Sequence, residues 1–564
     1  MRYSAQPYVL LLKSWPGWSQ FAILTSLVYI FLTASSDGTL RELNPMNRIL
    51  SFLICLSLVA TAFSPKTSAQ APIRVFGGMI LGITNQQTGI QSFKGIPFAA
   101  PPVGNLRWRA PQPVKPWTGV RRCDAFGPSP MQGIPAPFGP WSAEFLIPKE
   151  PISEDCLYLN VWTGQRGAVT KTDRRPVLVW IYGGGFGSGG SGAPIYDGEA
   201  TAQKGIVFVS TNYRVGPFGF LAHPELTRES GRNASGNYGL MDQIAALRWV
   251  KANIAQFGGD PANVTIAGQS AGSMSVNCLV ASPLAKGLFN KAIAESGASF
   301  ARPQPTLSEA EVNGLTVMKS LGTLSLADMR AKPAAEILQK SQNAMRGPIV
   351  DGYVLPKTVA SLFADGMQND VALLTGWNED EGMVSGSPKN AADYQKQIGQ
   401  EFGTDAQTLL KHYPGMTDAE AAASQQRLSR DRTFGVQNYR WATLQAEKNK
   451  PVYVYRFTRK LPATGEYAHY GAFHTGEVAY AYDNLRFINH QLRPLESADD
   501  ALAHDMALYW ANFIKTGNPN GNGLPQWPLF ASGKQIMLLG TTSQAHPLPD
   551  AADLETLFGV MSKE

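Results

Sequence analysis

Gly268, Ser270 and Gly272 form G-x-S-x-G within the stretch Val264-Thr-Ile-Ala-Gly-Gln-Ser-Ala-Gly-Ser273. Val264 to Ala267 are β-branched or small apolar residues, suited to a buried strand. A serine between such a strand and a run of small residues fits a strand-to-helix turn too tight for bulky neighbours, with its Oγ exposed at the tip. Ala271, Gly272 and Ser273 let a helix pack close behind and aim its first N–H groups at the same spot. The chemistry this spacing suits is nucleophilic attack by a hydroxyl. The motif alone is weak in a chain with 55 glycines, so the partners of the hydroxyl carry the weight.

Those partners are a base, a group that orients the base, and donors for an oxyanion. Tyr182-Gly-Gly-Gly-Phe186 follows an apolar run, and consecutive glycines let backbone N–H groups approach a ligand. The pattern of α/β-hydrolases then gives Gly184, Gly185 and Ala271, the residue after the serine, as oxyanion donors. In that pattern the order is serine, acid, histidine. His223 is thereby excluded, and His412, His469, His474, His490, His504 and His546 remain. His474 ranks first, because Gly471-Ala-Phe-His-Thr-Gly-Glu477 is a Gly-rich loop that can present it. His412, in Lys-His-Tyr-Pro, reads as a helix end, and His546 precedes Pro547 in a polar tail. The acid is expected just beyond a strand, where Leu373-Leu-Thr-Gly-Trp-Asn-Glu-Asp-Glu-Gly382 offers Glu379, Asp380 and Glu381. Residue chemistry alone leaves these three open.

The elements that position these residues are legible as apolar runs. Pro176 to Tyr182, Ile206 to Thr211, Ala292 to Ser296 and Val371 to Thr375 read as central strands, with Leu157 to Trp162 beside them and short antiparallel strands over Phe76 to Gly95. Tyr238 to Ala255 has helical periodicity. The alternation predicts an α/β fold with a doubly wound, mostly parallel sheet and helices on both faces. Leu307 to Arg346 and Asn390 to Ala446 read as helical insertions over the sheet's C-terminal edge, where such folds bind ligands. Pro128 to Pro151 reads as a surface loop with the apolar tips Phe138, Trp141 and Phe145. Nothing after Pro72 reads as a linker, so residues 72–564 are expected to form one domain.

At 564 residues, 44% hydrophobic and 16% charged, the chain can bury a large core. Of its net charge of +6, half lies in the first 71 residues, and the dispersed remainder excludes a nucleic-acid surface. Residues 46–71 read as a signal peptide: Asn47-Arg48, apolar Ile49 to Ala60, then Ser68-Ala69-Gln70-Ala71 with cleavage near Ala71. Residues 1–45 read as an over-called upstream segment, the rival reading being a membrane anchor at Phe21 to Ala34. Export predicts a secreted or periplasmic protein.

Several stretches together are specific: Phe93 to Trp108, Ser153 to Trp162, Trp180 to Phe186, Gly236 to Val250, Gly258 to Gly272 and Asn512 to Asn520. Through them the chain, from Phe76 to Phe530, resembles the type-B carboxylesterase family, which includes cholinesterases and bacterial para-nitrobenzyl esterases. The resemblance implies an α/β-hydrolase fold with helical insertions over the active site, and a triad of Ser270, Glu381 and His474. Here Glu381 is the glutamate of the family's D-E-G motif, and His474 with Glu477 forms its H-x-x-E. It also implies oxyanion donors at Gly184, Gly185 and Ala271, a disulfide Cys123–Cys156, and an ion pair Arg107–Glu154. No metal or cofactor is implied, and the expected partner is a small-molecule ester, with no stable membrane insertion of the mature chain. Cys278 is left as a buried free thiol. Most members have Glu before the serine. Here it is Gln269, which weakens a case for cationic substrates. The expected function is hydrolysis of uncharged carboxylic esters through an acyl-enzyme. Alternatives are a lipase or polyester-degrading variant, with Phe138 to Phe145 as a lid, or a non-catalytic adhesion protein, a class that usually lacks the nucleophile.

Overall fold

Every residue from Val177 to Ile181 is buried, as a strand covered on both faces requires. The same is true throughout Val207–Thr211 and Lys291–Glu295, and for all but the first residue of Ala372–Asn378. These apolar segments lie side by side in one sheet. The computed structural model describes residues 71–165, 169–170, 172–301, 303–341, 347–384 and 389–563. Among them the main sheet has eleven strands: β1 (Ile83–Thr84), β2 (Gln91–Pro97), β3 (Tyr158–Thr163), β4 (Arg175–Ile181), β5 (Val207–Thr211), β6 (Gly259–Gln269), β7 (Lys291–Glu295), β8 (Ala372–Asn378), β9 (Val452–Phe457), β10 (Gln535–Leu539) and β11 (Gln544–Pro547). Their order is β11-β10-β9-β8-β7-β6-β4-β5-β3-β2-β1. Strands β4 to β10 are parallel, and antiparallel strands finish both edges.

Gln70–Glu564 is one compact unit. The upstream segment 1–45, and the signal peptide expected over 46–71 except for its last residue, lie outside the described residues. No helix among the described residues is long and apolar enough to cross a membrane. The two expected helical insertions are present, as Leu307–Ser320, Leu326–Ala331 and Ala334–Ser341, and as Ala391–Phe402, Ala406–His412, Asp418–Arg430 and Val436–Glu447. Capping boxes start two of these helices, Thr306 with Glu309 and Thr417 with Glu420. Between Arg430 and Val436 the chain makes a π-helical turn, Asp431–Gly435. Such turns concentrate at functional sites.

The expected Cys123–Cys156 disulfide is not formed. Both cysteines are buried free thiols, as is Cys278. The register of β2 gives the reason. The Lys94 N–H donates to Cys123 O at 2.7 Å, whereas Leu157, the neighbour of Cys156, accepts from Phe98 N–H at 3.1 Å. Four residues of chain, with a bulge between Phe93 and Ile96, separate the two docking points, roughly 10–13 Å, and a bridge needs Cα atoms within about 7 Å. Cys156 instead lines a small cavity of about 10 Å³ with Arg107, Trp108 and Arg214.

The crossing of β4, β6 and the helix Ala271–Ala281 is the tightest point near the serine. A methyl group on Gly272 would lie 2.0 Å from Ile181 O, and one on Gly268 2.5 Å from the carbonyl carbon of Gly272. Both neighbours are backbone, so no side-chain rotation relieves the overlap. Gly272→Ala is expected to cost about 3 kcal/mol or more. Chemical denaturation checks this, and an unchanged midpoint would contradict it.

Candidate active site

Ser270 sits where β6 gives way to the helix Ala271–Ala281, with φ 58° and ψ −123°. A non-glycine residue at positive φ is uncommon and marks stored strain. Two main-chain hydrogen bonds hold the turn: Ser270 N–H to Glu295 O at 2.8 Å and Met274 N–H to Ser270 O at 2.9 Å. The side chain is half-buried. Among the described residues its hydroxyl makes no hydrogen bond, and contacts of this kind commonly tighten only in the substrate complex.

The glycine triplet follows β4 and lies against the serine. A methyl on Gly183 would come within 3.0 Å of Ser270 Cβ. Gly184 and Gly185 have φ +116° and +61°, which glycine adopts without steric cost. Around Gly185 a Cβ would meet no atom within 4 Å. Ala271 is the first residue of its helix, so its N–H has no intrahelical acceptor. Gly183 thus abuts the serine from one side and Ala271 follows it on the other, with Gly184 and Gly185 next along the glycine loop.

The acid turn and the histidine loop meet at the ends of β8 and β9. The structure separates the three acids that the sequence left open. Glu379 is held by Arg430 and Arg456, each at 2.8 Å. Burial opposes its ionisation, but the two guanidiniums outweigh that and keep its carboxyl below the ordinary value. Asp380 accepts from Ala472 N–H at 2.9 Å and its own N–H donates to Ala472 O at 3.1 Å. Glu381 Oε2 lies 2.8 Å from His474 Nδ1, both residues being buried. The other histidines are engaged elsewhere or exposed. His412 pairs with Asp553 at 2.8 Å, and the His223 ring accepts from Glu225 N–H.

Phe434, which the sequence did not single out, and Gln269, which it did, frame His474. Phe434, from the π-helical turn, stacks on the imidazole with centroids 4.4 Å apart and planes at 15°. The Gln269 amide nitrogen lies 3.1 Å from His474 Nε2 and 3.3 Å from Nδ1. A point so nearly equidistant from both ring nitrogens cannot lie in the ring plane without overlapping Cε1. The amide therefore sits over the face of the ring, and among the described residues Nε2 has no other hydrogen-bond partner. The loop with aromatic tips is anchored beside the site. Phe138 and Trp141 exchange backbone hydrogen bonds, Trp141 Nε1–H donates to Thr475 Oγ1 at 3.1 Å, and buried Arg493 donates to Pro140 O at 2.6 Å. Arg107 and Glu154 form a bidentate pair at 2.6 Å, and Arg107 also donates to Arg330 O and Lys332 O. It ties the N-terminal loop to the first helical insertion.

Two further carboxyl groups lie behind the triad residues, Glu295 and Glu477, neither of them exposed. Tyr482 O–H and Trp510 Nε1–H donate to Glu295 Oε1 at 2.9 and 2.8 Å, while Glu295 Oε2 and Glu477 Oε1 are without partners among the described residues. Burial pushes Glu295 up to about 7. Burial, then the carboxylates of Glu295 and Glu381, raises Glu477 well above the ordinary range. Folding therefore binds a proton on Glu295 that the unfolded chain releases near pH 4.5. Its effect is absent below that pH, destabilises increasingly as pH rises to about 7, and is constant above. Glu295→Gln is expected to stabilise the fold at pH 8 by about 1–3 kcal/mol relative to its effect at pH 4. Denaturation at the two pH values measures it, and an equal effect at both would contradict the assignment.

Comparison with known proteins agrees with this architecture. The profile of the Carboxylesterase family matches residues 68–555. Fumonisin B1 esterase of Sphingopyxis macrogoltabida is 39% identical over 472 residues, covering 80% of this chain and 84% of that protein. Para-nitrobenzyl esterase of Bacillus subtilis (strain 168) is 34% identical over 506 residues, covering 85% and 97%, and human cocaine esterase is 32% identical over 549 residues, covering 90% and 96%. A solved structure of PNB esterase superposes with a TM-score of 0.75 at 31% identity, over 87% of this chain and 99% of that one. A strained serine, a bare glycine loop and a buried acid–histidine pair on an α/β-hydrolase sheet accompany this similarity along most of the chain, which belongs to the carboxylesterase family and is a carboxylic-ester hydrolase of the serine type.

Proposed function

We propose that the chain hydrolyses uncharged carboxylic esters through an acyl-enzyme on Ser270. His474 Nε2 accepts the proton of Ser270 Oγ as the oxygen attacks the ester carbonyl. Glu381 accepts the hydrogen bond of Nδ1–H, fixes the tautomer and stabilises the imidazolium. The N–H groups of Gly184, Gly185 and Ala271 receive the oxyanion. The C–O bond to the alcohol then breaks, and His474 returns the proton to the departing alkoxide oxygen. Water attacks the acyl-enzyme by the same route, its proton passing through His474 to Ser270 Oγ as the acid leaves. The observation that carries this reading is the 2.8 Å contact of Glu381 Oε2 with His474 Nδ1.

The neutral side chain of Gln269, beside the imidazole, supports an uncharged substrate. Relatives named as esterases of fumonisin B1 and cocaine, and as a para-nitrobenzyl esterase, support small organic esters as the substrate class. The basic, apolar and small-residue succession of residues 46–71 supports export, with cleavage near Ala71.

Ser270→Ala is expected to reduce kcat for p-nitrophenyl acetate by at least about 10⁴-fold while leaving the circular dichroism and melting temperature unchanged. Turnover retained in the folded variant would refute Ser270 as the nucleophile.

A further inference from the structure

Asn378 is the last residue of β8 and has no exposed surface. Its backbone N–H donates to Glu381 Oε1 at 2.9 Å, and the other oxygen of that carboxylate is the one that meets His474. Its side-chain amide donates to Phe473 O at 2.8 Å and to the carboxyl of Glu477. Phe473 is the residue before His474, and Glu477 lies three after it. One residue therefore grips the acid through its main chain and the base's loop on both sides of the base through its side chain. Asp380 also holds this loop, but only at Ala472, and it does not touch the Glu381 carboxylate.

The chemistry of the amide suits the position. Both of its acceptors are oxygens, and a primary amide supplies two donors from one nitrogen. An ionised aspartate of the same shape would donate to neither and would set its charge against Phe473 O. The backbone donor to Glu381 survives any side-chain change here, so the side-chain contribution can be tested separately.

We propose that Asn378 is a positioning residue for ester hydrolysis, setting the relative placement of Glu381 and His474 by holding the acid and the histidine loop at once. The claim rests on the triad reading above. It concerns placement of the base relative to the serine, so it is expected in kcat rather than in KM.

The test is steady-state hydrolysis of p-nitrophenyl acetate by the full chain, with folding followed by circular dichroism and melting. Asn378→Asp is expected to lower kcat at least thirtyfold with KM within threefold of the unchanged protein. Adding Glu477→Gln gives the new aspartate an amide partner, and is expected to restore at least tenfold of the lost kcat. A smaller loss in folded Asn378→Asp, or no recovery in the folded double variant, overturns the proposal. Should Asn378→Asp not fold, Asn378→Ser, too short to reach both acceptors, carries the test with the same thirtyfold threshold. Glu381→Ala and His474→Ala run alongside. If they retain full turnover, the triad reading itself fails. If they are inactive while folded Asn378 variants keep kcat, only the positioning role fails.

Discussion

The contact between Glu381 and His474 spans 93 residues of chain, and the rest of the site is arranged so that this distance closes. Three residues of the acid turn hold the histidine loop. Asn378 holds Phe473, Asp380 holds Ala472, and Glu381 holds His474. The turn and the loop are thus in register before any substrate arrives. Parallel pairing of β8 with β9 brings the start of both segments to one edge of the sheet, and β6 brings Ser270 to the same edge two strands away. Ligands bind in this region of open α/β sheets because loops leave from the carboxyl ends of several strands together.

Charge near the triad is compensated or removed. Glu379 is offset by Arg430 and Arg456, which also share Asp550. Asp431, buried in the π-helical turn, pairs with Arg430 at 2.7 Å. Glu295 and Glu477 have no basic partner among the described residues, and burial favours their neutral forms. Glu381 is the acid in contact with the imidazole, placed to stabilise an imidazolium that forms in the transition state. Removing water from the site strengthens that interaction, because the local dielectric falls.

Much of the fold was legible because its central strands are buried on both faces and so read as unbroken apolar runs. Pro176 to Tyr182 and Ile206 to Thr211 matched the observed strands within a residue at each end. The strands Val452–Phe457, Gln535–Leu539 and Gln544–Pro547 escaped the reading, as did the helix Ser497–Thr516. The first interleaves Tyr and Arg with valine, and the last strand is an exposed edge with no apolar run. In the site, motif spacing located Ser270 and the glycine triplet, whereas the choice among Glu379, Asp380 and Glu381 came only from resemblance, since three adjacent carboxylates differ only in where a turn points them. Phe434 was beyond reach: a single extra residue in a helix turns its ring onto His474, and local propensity carries no mark of that. The expected disulfide failed because motif resemblance says nothing about register, and the docking of Cys123 and Leu157 along β2 sets the thiols apart. The loop at Phe138 to Phe145 is surface at Phe138, as read, and its anchoring to Thr475 and Arg493 was not legible because those residues are more than 300 positions distant in sequence.

The central claim is that Ser270 is made nucleophilic by His474 through the support of Glu381. The most direct measurement is the rate and location of covalent labelling by a fluorophosphonate, read by intact mass and peptide mapping. The account predicts a single adduct on Ser270, and at least a hundredfold slower labelling in folded Glu381→Ala. An adduct on another serine, or labelling of Glu381→Ala at the unaltered rate, would contradict it.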